Sequence, residues 1–245
     1  MNLTPVLLAF LLVAQSPSQQ QQQQKPKESF WQKVLRITGI SATPPTTKGL
    51  PGGLLGGDLW MAGVDGGSRL RLTRDGEYRS PVFSADGGAV LALREGKVVR
   101  VSTAGFLDTP EPLFPVPGIV RLVGSDPEAP GQVVVLTRPA EGTADLGILD
   151  LGDRKVRSLS AEAPAAGYQN ALAELGRWDR TWQIGEPAGT VRLEVRPVDR
   201  GFDVFYLNGA SPIDVSHCGG DRCGQLAVSP DGRWVVFVRT PAPKP

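Results

Sequence analysis

Two stretches of this sequence are copies of one another, separated by a constant offset of 145 residues. Residues 80–94 align with residues 225–239, and five of the 15 aligned positions are identical, where chance gives about one. The identical pairs are Ser84/Ser229, Asp86/Asp231, Gly87/Gly232, Val90/Val235 and Arg94/Arg239. Self-similarity at this range predicts that both copies fold as the same structural unit.

Each copy consists of an apolar run, an Asp-Gly pair and a second apolar run. Gly tolerates positive φ, and Asp accepts hydrogen bonds from its own backbone, so the pair is typical of a tight turn. We therefore predict two β-hairpins. Asp86, Gly87, Asp231 and Gly232 are interpreted as structural turn residues rather than as catalytic groups.

The residues around these hairpins carry a family resemblance. Ser-Pro-Asp-Gly at residues 229–232 precedes an apolar strand, and Leu-Thr-x-x-Gly at residues 72–76 approaches the first hairpin. This combination resembles the WD-like repeats of TolB-type β-propellers, with Ala85 replacing Pro in the first copy. The resemblance implies blades of four strands. Members of that family usually have six blades and a separate N-terminal α/β domain, whereas this sequence yields four blades without such a domain.

Periodicity predicts further strands between the two copies. The predicted sets are 80–94, 98–101 and 112–114; 118–124, 132–137, 146–151 and 156–159; and 178–184, 191–195, 202–207 and 212–216. Inner strands then begin near residues 79, 118, 177 and 224. The resulting spacing is close to the 40 to 50 residues of a four-stranded blade, apart from one longer interval. We attribute that interval to a short inserted helix at residues 168–176.

The ends of the repeat region complement each other. Residues 58–73 supply two outer strands without an inner pair, and residues 224–239 supply an inner pair without outer strands. Joined, they form a composite blade that contains both Trp60 and Trp234 and leaves no open sheet edge. The predicted fold class is all-β, a small β-propeller of about four blades with one or two short inserted helices. The alternative is an open partial propeller completed by dimerisation or by a partner.

The chain termini predict export. Residues 5–14 are apolar but too few to span a bilayer, which is typical of a signal peptide, here residues 1–16. A frayed apolar terminus of a cytoplasmic protein is the alternative. Residues 17–56 follow as a low-complexity linker with a possible helix at 28–37, then the propeller domain at 57–239 and a disordered tail at 240–245. We expect a periplasmic or secreted protein without a stable membrane span in the mature chain.

The few residues suited to chemistry favour a structural interpretation. Cys218 and Cys223 enclose four residues, and a disulfide is expected in an exported chain. The alternative, a metal site that adds His217 and Asp221, places adjacent His and Cys awkwardly around one ion. His217 is the only imidazole, and no Gly-x-Ser-x-Gly elbow or phosphate-binding loop occurs. We predict no catalytic residues, no bound metal and no cofactor.

The net charge and the aromatic residues indicate which class of partner the protein binds. With 26 Lys and Arg against 25 Asp and Glu, the chain lacks the excess positive charge of a nucleic-acid binder. Trp178 and Trp182 would share one face of a strand, as a possible recognition patch or as core residues. The preferred interpretation is a non-enzymatic protein-interaction or scaffold module in the cell envelope. The alternative is a hydrolase or small-ligand-binding propeller that uses the central channel or loop face.

Overall fold

The computed structural model describes residues 56–105, 109–126, 128–138, 145–159, 182–184, 191–199, 201–207 and 211–242. Every helix or strand element in these ranges is a β-strand. The predicted signal peptide, the linker up to residue 55, both predicted helices, and Trp178 lie outside the described residues. Within the described ranges, no helix has the length and apolar character needed to cross a membrane.

Two antiparallel four-stranded sheets follow each other along the chain. Sheet I has the order β3-β4-β5-β6 and sheet II the order β7-β8-β9-β10, reading outward from the first strand. The bounds are β3 Arg79–Phe83, β4 Ala89–Arg94, β5 Lys97–Ser102, β6 Glu111–Pro115, β7 Ile119–Ser125, β8 Gln132–Thr137, β9 Asp145–Asp150 and β10 Lys155–Ser158. All eight strands occur where the sequence predicted them, β3 and β4 from the repeated hairpin and the others from apolar periodicity.

The other eight strands form one hydrogen-bonded sheet with two halves. Sheet III contains β11 Trp182–Ile184, β12 Val191–Val198, β13 Gly201–Leu207 and β14 Ile213–Asp214; sheet IV contains β15 Arg222–Val228, β16 Trp234–Thr240, β1 Asp58–Gly63 and β2 Arg69–Arg71. A single parallel bridge, Phe202 to Arg222, joins the halves. Beside it the Phe202 amide donates to the Asp221 carbonyl oxygen at 3.1 Å. Of the strand predicted at 212–216, only Ile213–Asp214 is extended.

Sheet IV pairs the first strand of the domain with the last. Its order is β15-β16-β1-β2, and the antiparallel register places Trp60 opposite Phe237 and Gly63 opposite Trp234. Trp60 packs on the side of sheet III, and Trp234 packs on the side of sheet I. The two tryptophans therefore occupy neighbouring strands of one sheet but opposite faces of it.

The hydrophobic clusters give the order in which the sheets stack. One cluster lies between sheets III and IV, a second between sheets IV and I, and a third between sheets I and II. On the far face of sheet II, Val134, Leu136 and Leu146 are also 3% exposed or less. The central strands of sheets IV, I and II are thus buried on both faces, which explains why they are almost continuously apolar.

Candidate functional site

The first Asp-Gly turn is closed by side-chain hydrogen bonds. The Ser84 hydroxyl donates to Oδ1 of Asp86 at 2.6 Å, and the same oxygen accepts from the Gly88 amide at 3.0 Å. Gly87 has φ +72°, and its amide donates to the Ser84 carbonyl oxygen at 2.9 Å. The hydrogen bond from Ser84 is the main reason why the pKa of Asp86 lies below its usual range, and the charge of Arg100 contributes less. The Asp86 carboxylate thus accepts the hydrogen bonds that close this turn.

The second Asp-Gly turn repeats this arrangement. The Ser229 hydroxyl donates to Oδ1 of Asp231 at 2.5 Å, and the Arg233 amide donates to that oxygen at 3.1 Å. Gly232 has φ +71°, within a degree of its counterpart Gly87. The hydrogen bond from Ser229 again lowers the pKa of the aspartate. Both aspartates are thus used to stabilise turns.

Cys218 and Cys223 form a disulfide, with their Cα atoms 6.3 Å apart. The enclosed loop is attached to the last strand: Asp221 forms an ion pair with Arg239 at 2.7 Å, and Arg239 also donates to the Cys218 carbonyl oxygen at 3.0 Å. In this form neither sulfur can act as a thiolate metal ligand. Among the described residues, no group of three or more His, Cys, Asp or Glu side chains is arranged to hold a metal ion.

His217 lies next to this loop in a cluster of polar side chains. Its Nδ1 is 3.1 Å from Oδ2 of Asp214, and its side chain is 49% exposed. The neighbouring Ser216 is 2% exposed, and its hydroxyl accepts from the Val204 amide at 2.8 Å. That hydroxyl also lies 3.3 Å from carboxylate oxygens of both Asp203 and Asp214. A serine nucleophile needs to be open to substrate and bonded to the imidazole, and Ser216 is neither.

Asp203 anchors the same cluster from strand β13. Its Oδ1 accepts from the Cys218 amide at 2.7 Å. Burial raises the pKa of Asp203, and the charge of Asp214 adds to the effect, while hydrogen bonds from Cys218 and Ser216 oppose it. The buried carboxylate therefore fixes the start of the disulfide loop, which is a structural function.

A groove opens between sheets I and II. Its volume is about 340 Å³, and it extends from the turn after β3 to the turn after β9. The apolar lining comes from both sheets and includes Leu91, Leu113, Phe114, Val133 and Leu151. These residues belong to or pack on the cluster that joins the two sheets, so the groove is the open end of a hydrophobic interface.

Three charged side chains line the groove: Arg100 on β5, Glu111 on β6 and Arg154 in the turn after β9. The guanidinium of Arg154 lies over the ring of Phe114, 5.6 Å from its centroid. Arg100 and Glu111 are cross-strand neighbours. Neither arginine forms an ion pair with any residue in the described ranges. The groove therefore combines an apolar floor with two available cations.

The groove was not predicted from the sequence. Its charged residues come from separate strands and turns, and no motif connects them. The predicted recognition patch is described only in part: Trp182 begins strand β11, and Trp178 lies outside the described residues. The groove residues belong to sheets I and II, whereas Trp182 belongs to sheet III.

The solved structures that this chain resembles include two TolB proteins and one β-propeller domain. Putative TolB from Agrobacterium tumefaciens aligns with a TM-score of 0.35 and 19% identity over 76% of this chain and 62% of its own. TolB from Acinetobacter baumannii aligns with a TM-score of 0.34 and 11% identity over 74% of this chain and 46% of its own. The β-propeller domain of the Trilobed protease from Pyrococcus furiosus, which has an open velcro topology, aligns with a TM-score of 0.23 and 11% identity over 76% of this chain and 68% of its own.

The chain thus spans about three fifths of the first TolB structure and under half of the second. No protein-family model and no curated protein matches the sequence.

Proposed function

We propose that this chain is an exported, non-enzymatic β-propeller that acts as a protein-binding or scaffold module in the cell envelope. In this proposal sheets I to IV are four blades around a common axis. The pairing of β1 with β16 and the stacking order III–IV–I–II support it. The buried far face of β8 and β9 supports the presence of a further neighbour beside sheet II, which sheet III would provide in a closed ring.

The environment of His217 supports a non-enzymatic role. A hydrolase of the alternative interpretation would need this imidazole beside a reactive hydroxyl in a pocket. Instead its ring is bound to Asp214, and the adjacent Ser216 hydroxyl is buried among backbone and carboxylate partners. The groove between sheets I and II is lined by other residues.

The groove is the single observation that carries the protein-binding proposal. Interfaces on stable folds combine buried apolar residues with arginine and a polar rim, and this groove offers that combination.

The test is to capture partners with the secreted, mature protein, identify them, and reconstitute the complex from purified components. A stoichiometric protein complex is expected. Native mass spectrometry that finds only a bound small molecule, with no reconstitutable protein partner, would contradict the proposal.

Export is tested separately on the cellular protein. We expect the mature chain in the periplasm or medium to lack residues 1 to about 16 and to contain no alkylatable thiol, because oxidising compartments preserve disulfides. Intact Met1 together with two alkylatable cysteines in the cytosol would overturn this part of the proposal.

A further inference from the structure

We infer that the groove between sheets I and II binds an extended, acidic peptide segment of a protein partner. A carboxylate of that segment would lie against Arg100 and Arg154, and an adjacent apolar side chain would enter the floor formed by Leu91 and Val133. The inference rests on the proposed function and specifies the chemistry of the partner.

Arg154 is held in place for such a contact. Its backbone adopts φ +58° in the turn after β9, and its guanidinium from sheet II lies over Phe114 of sheet I. Stacking on an aromatic face leaves the N–H groups at the edge of the guanidinium plane available to a carboxylate. A side chain already fixed in this way loses little entropy when it binds.

The charges in the groove are complementary to an anion. Two arginines and one glutamate line it, which gives a net charge of +1. Asp86 is close enough to Arg100 for the two charges to interact, but the carboxylate accepts hydrogen bonds from Ser84 and Gly88 and forms no ion pair with Arg100 within the described residues. A carboxylate from outside would therefore meet two cations that lack an ion-pair partner there.

The outermost strand of sheet I determines how a segment could bind. Strand β6 contains Pro112 and Pro115, which have no N–H to donate, so its free edge is poorly suited to adding a strand. Recognition must then use side chains in the groove. A volume of about 340 Å³ is at the lower end of ligand sites and holds a few side chains rather than a folded element.

The probe is a pair of fluorescein-labelled peptides that are capped at both ends and differ only in a central Leu-Glu-Leu or Leu-Gln-Leu. Fluorescence anisotropy with the mature protein is expected to show binding of the Glu peptide that is at least about tenfold tighter than that of the Gln peptide and weakens with added salt. Arg100→Gln and Arg154→Gln should each lower the affinity for the Glu peptide about tenfold. Arg69→Gln, at an exposed arginine on β2 outside the groove, should not change it.

A second variant tests the position of the site without altering charge. Ala85 lines the groove in the turn after β3, and Ala85→Trp would place an indole in the space that the peptide needs. Binding should be lost while the circular dichroism spectrum and melting temperature stay those of the unmodified protein. Equal affinity for the Glu and Gln peptides, or unchanged binding in Ala85→Trp, would overturn the inference.

Two further arms separate this inference from the proposed function. If N-acetylglutamate amide competes as strongly as the Glu peptide, the groove is a small-carboxylate site and the peptide inference is overturned. If the purified partner binds the Arg100→Gln/Arg154→Gln protein with unchanged affinity, the inference fails while the protein-binding function stands. If no protein partner can be reconstituted with the wild-type chain, the proposed function fails and the inference fails with it.

Discussion

Single side chains in the Asp-Gly turns perform several tasks at once. The carboxylate of Asp231 accepts from a hydroxyl and from an amide, while Gly232 provides the positive φ that closes the bend. Both bonds favour the ionised carboxylate, which is why its pKa lies below the usual range. A residue that could have been mistaken for a catalytic acid therefore contributes to stability, and its contribution depends on pH.

Asp231→Ala should lower the free energy of unfolding by about 1 kcal/mol at neutral pH, because it removes two hydrogen bonds from an exposed turn. The folded-state pKa is depressed, so the contribution is complete above the ordinary aspartate pKa of 3.8 and is lost as the pH falls through the folded value. Urea denaturation at pH 7 and near pH 3 should show the difference between variant and wild type shrinking in acid.

Asp153→Ala is the matched control for this experiment. Asp153 also lies in an exposed turn, between β9 and β10, and its side chain makes no hydrogen bond within the described residues. It should change stability little at either pH. A loss for Asp231→Ala that is equally large at both pH values would contradict the proposed contribution of the ionised carboxylate.

Tyr78 is a second residue whose surroundings control its ionisation. The side chain is 0% exposed, its hydroxyl lies 3.3 Å from Asp75, and Arg94 donates to it at 3.1 Å. Burial, together with the hydrogen bond to Asp75, raises the pKa of Tyr78 to about 12. Folding therefore favours the neutral phenol. This contribution of Tyr78 to the free energy of unfolding is present below pH 10 and is lost as the pH rises from about 10 to about 12.

A spectrophotometric titration of the native protein should find one of its three tyrosines ionising only near pH 12. Tyr78→Phe should remove that transition and keep the ring under the Arg94 guanidinium, 5.3 Å from the ring centroid. Tyr206→Phe serves as the control and should leave the high-pH transition in place. If every tyrosine of the folded wild-type protein ionises near pH 10, the environment assigned to Tyr78 is wrong.

At the scale of elements, the two copies of the internal repeat share a β-bulge at equivalent positions, which the sequence alignment did not reveal. Strand β3 shifts register between Arg79 and Val82, and β15 shifts register between the equivalent residues Gly224 and Ala227. Within these bulges Ser80 has φ 49° and its counterpart Gln225 has φ 52°. The Ser80 amide donates to Oε1 of Gln225 at 2.9 Å. The two repeats are thus bonded directly to each other at equivalent positions.

Gln225→Ala should cost about 1 to 3 kcal/mol of stability, because it leaves the amide of Ser80, a residue only 4% exposed, without this acceptor. Gln225→Glu retains an acceptor oxygen and should cost less. Hydrogen exchange gives the specific measurement: the Ser80 amide should exchange faster in the Ala variant than in the wild type. Unchanged protection of that amide in Gln225→Ala would show that the bond between repeats contributes nothing.

The identical arginines of the repeat also have equivalent surroundings. Arg94 forms an ion pair with Asp75 at 2.5 Å and lies over the ring of Tyr78. Arg239 forms its ion pair in the disulfide loop and lies over the ring of Trp60, 5.1 Å from the centroid. Each arginine thus connects the end of a hairpin strand to a carboxylate and to an aromatic ring outside that hairpin.

At the scale of the whole molecule, the pairing of the first strand, β1, with the last strand, β16, requires their backbones to approach closely. The Thr240 hydroxyl donates to the Gly56 carbonyl oxygen at 3.1 Å, across 184 residues of sequence. A Cβ on Gly57 would overlap the Arg239 carbonyl oxygen and lie 2.7 Å from its carbonyl carbon. Only glycine allows β1 and β16 to approach this closely at the start of their pairing.

Gly57→Ala should therefore lower the free energy of unfolding by about 1 to 3 kcal/mol, because the added methyl pushes β1 away from β16. Gly105→Ala is the control, since a Cβ there meets no atom within 4 Å. Thermal denaturation gives the size of the effect, and faster proteolysis at the paired ends locates it. If both variants melt alike, the close approach of the ends contributes little to stability.

The oligomeric state tests closure of the ring directly. A ring that closes on itself should be monomeric by analytical ultracentrifugation at micromolar concentration, because every blade then has a neighbour on both faces. A stable dimer that dissociates only when the protein unfolds would favour the alternative, an open partial propeller completed by dimerisation.

Several features of the fold could be predicted from the sequence because they depend on local chemistry. Apolar runs located the strands of sheets I and II, and Asp-Gly pairs located two turns, since apolar patterning and turn propensity act over a few residues. The complementary strand sets at residues 58–73 and 224–239 predicted that β1 would lie beside β16. Cys218 and Cys223 are the two cysteines of the sequence and lie five positions apart, so they had no other pairing within it.

Other features were decided only by the tertiary structure. Nothing in the sequence distinguishes Arg100 and Arg154 from the other arginines. They line the same groove because sheet I packs on sheet II and leaves the end of the interface open. Positive φ at Ser80 and Gln225 has no marker either, since neither residue type favours it. Short-range patterns specify where a chain turns and which face it buries, but the cavity between two layers depends on side chains that meet only after the layers have packed.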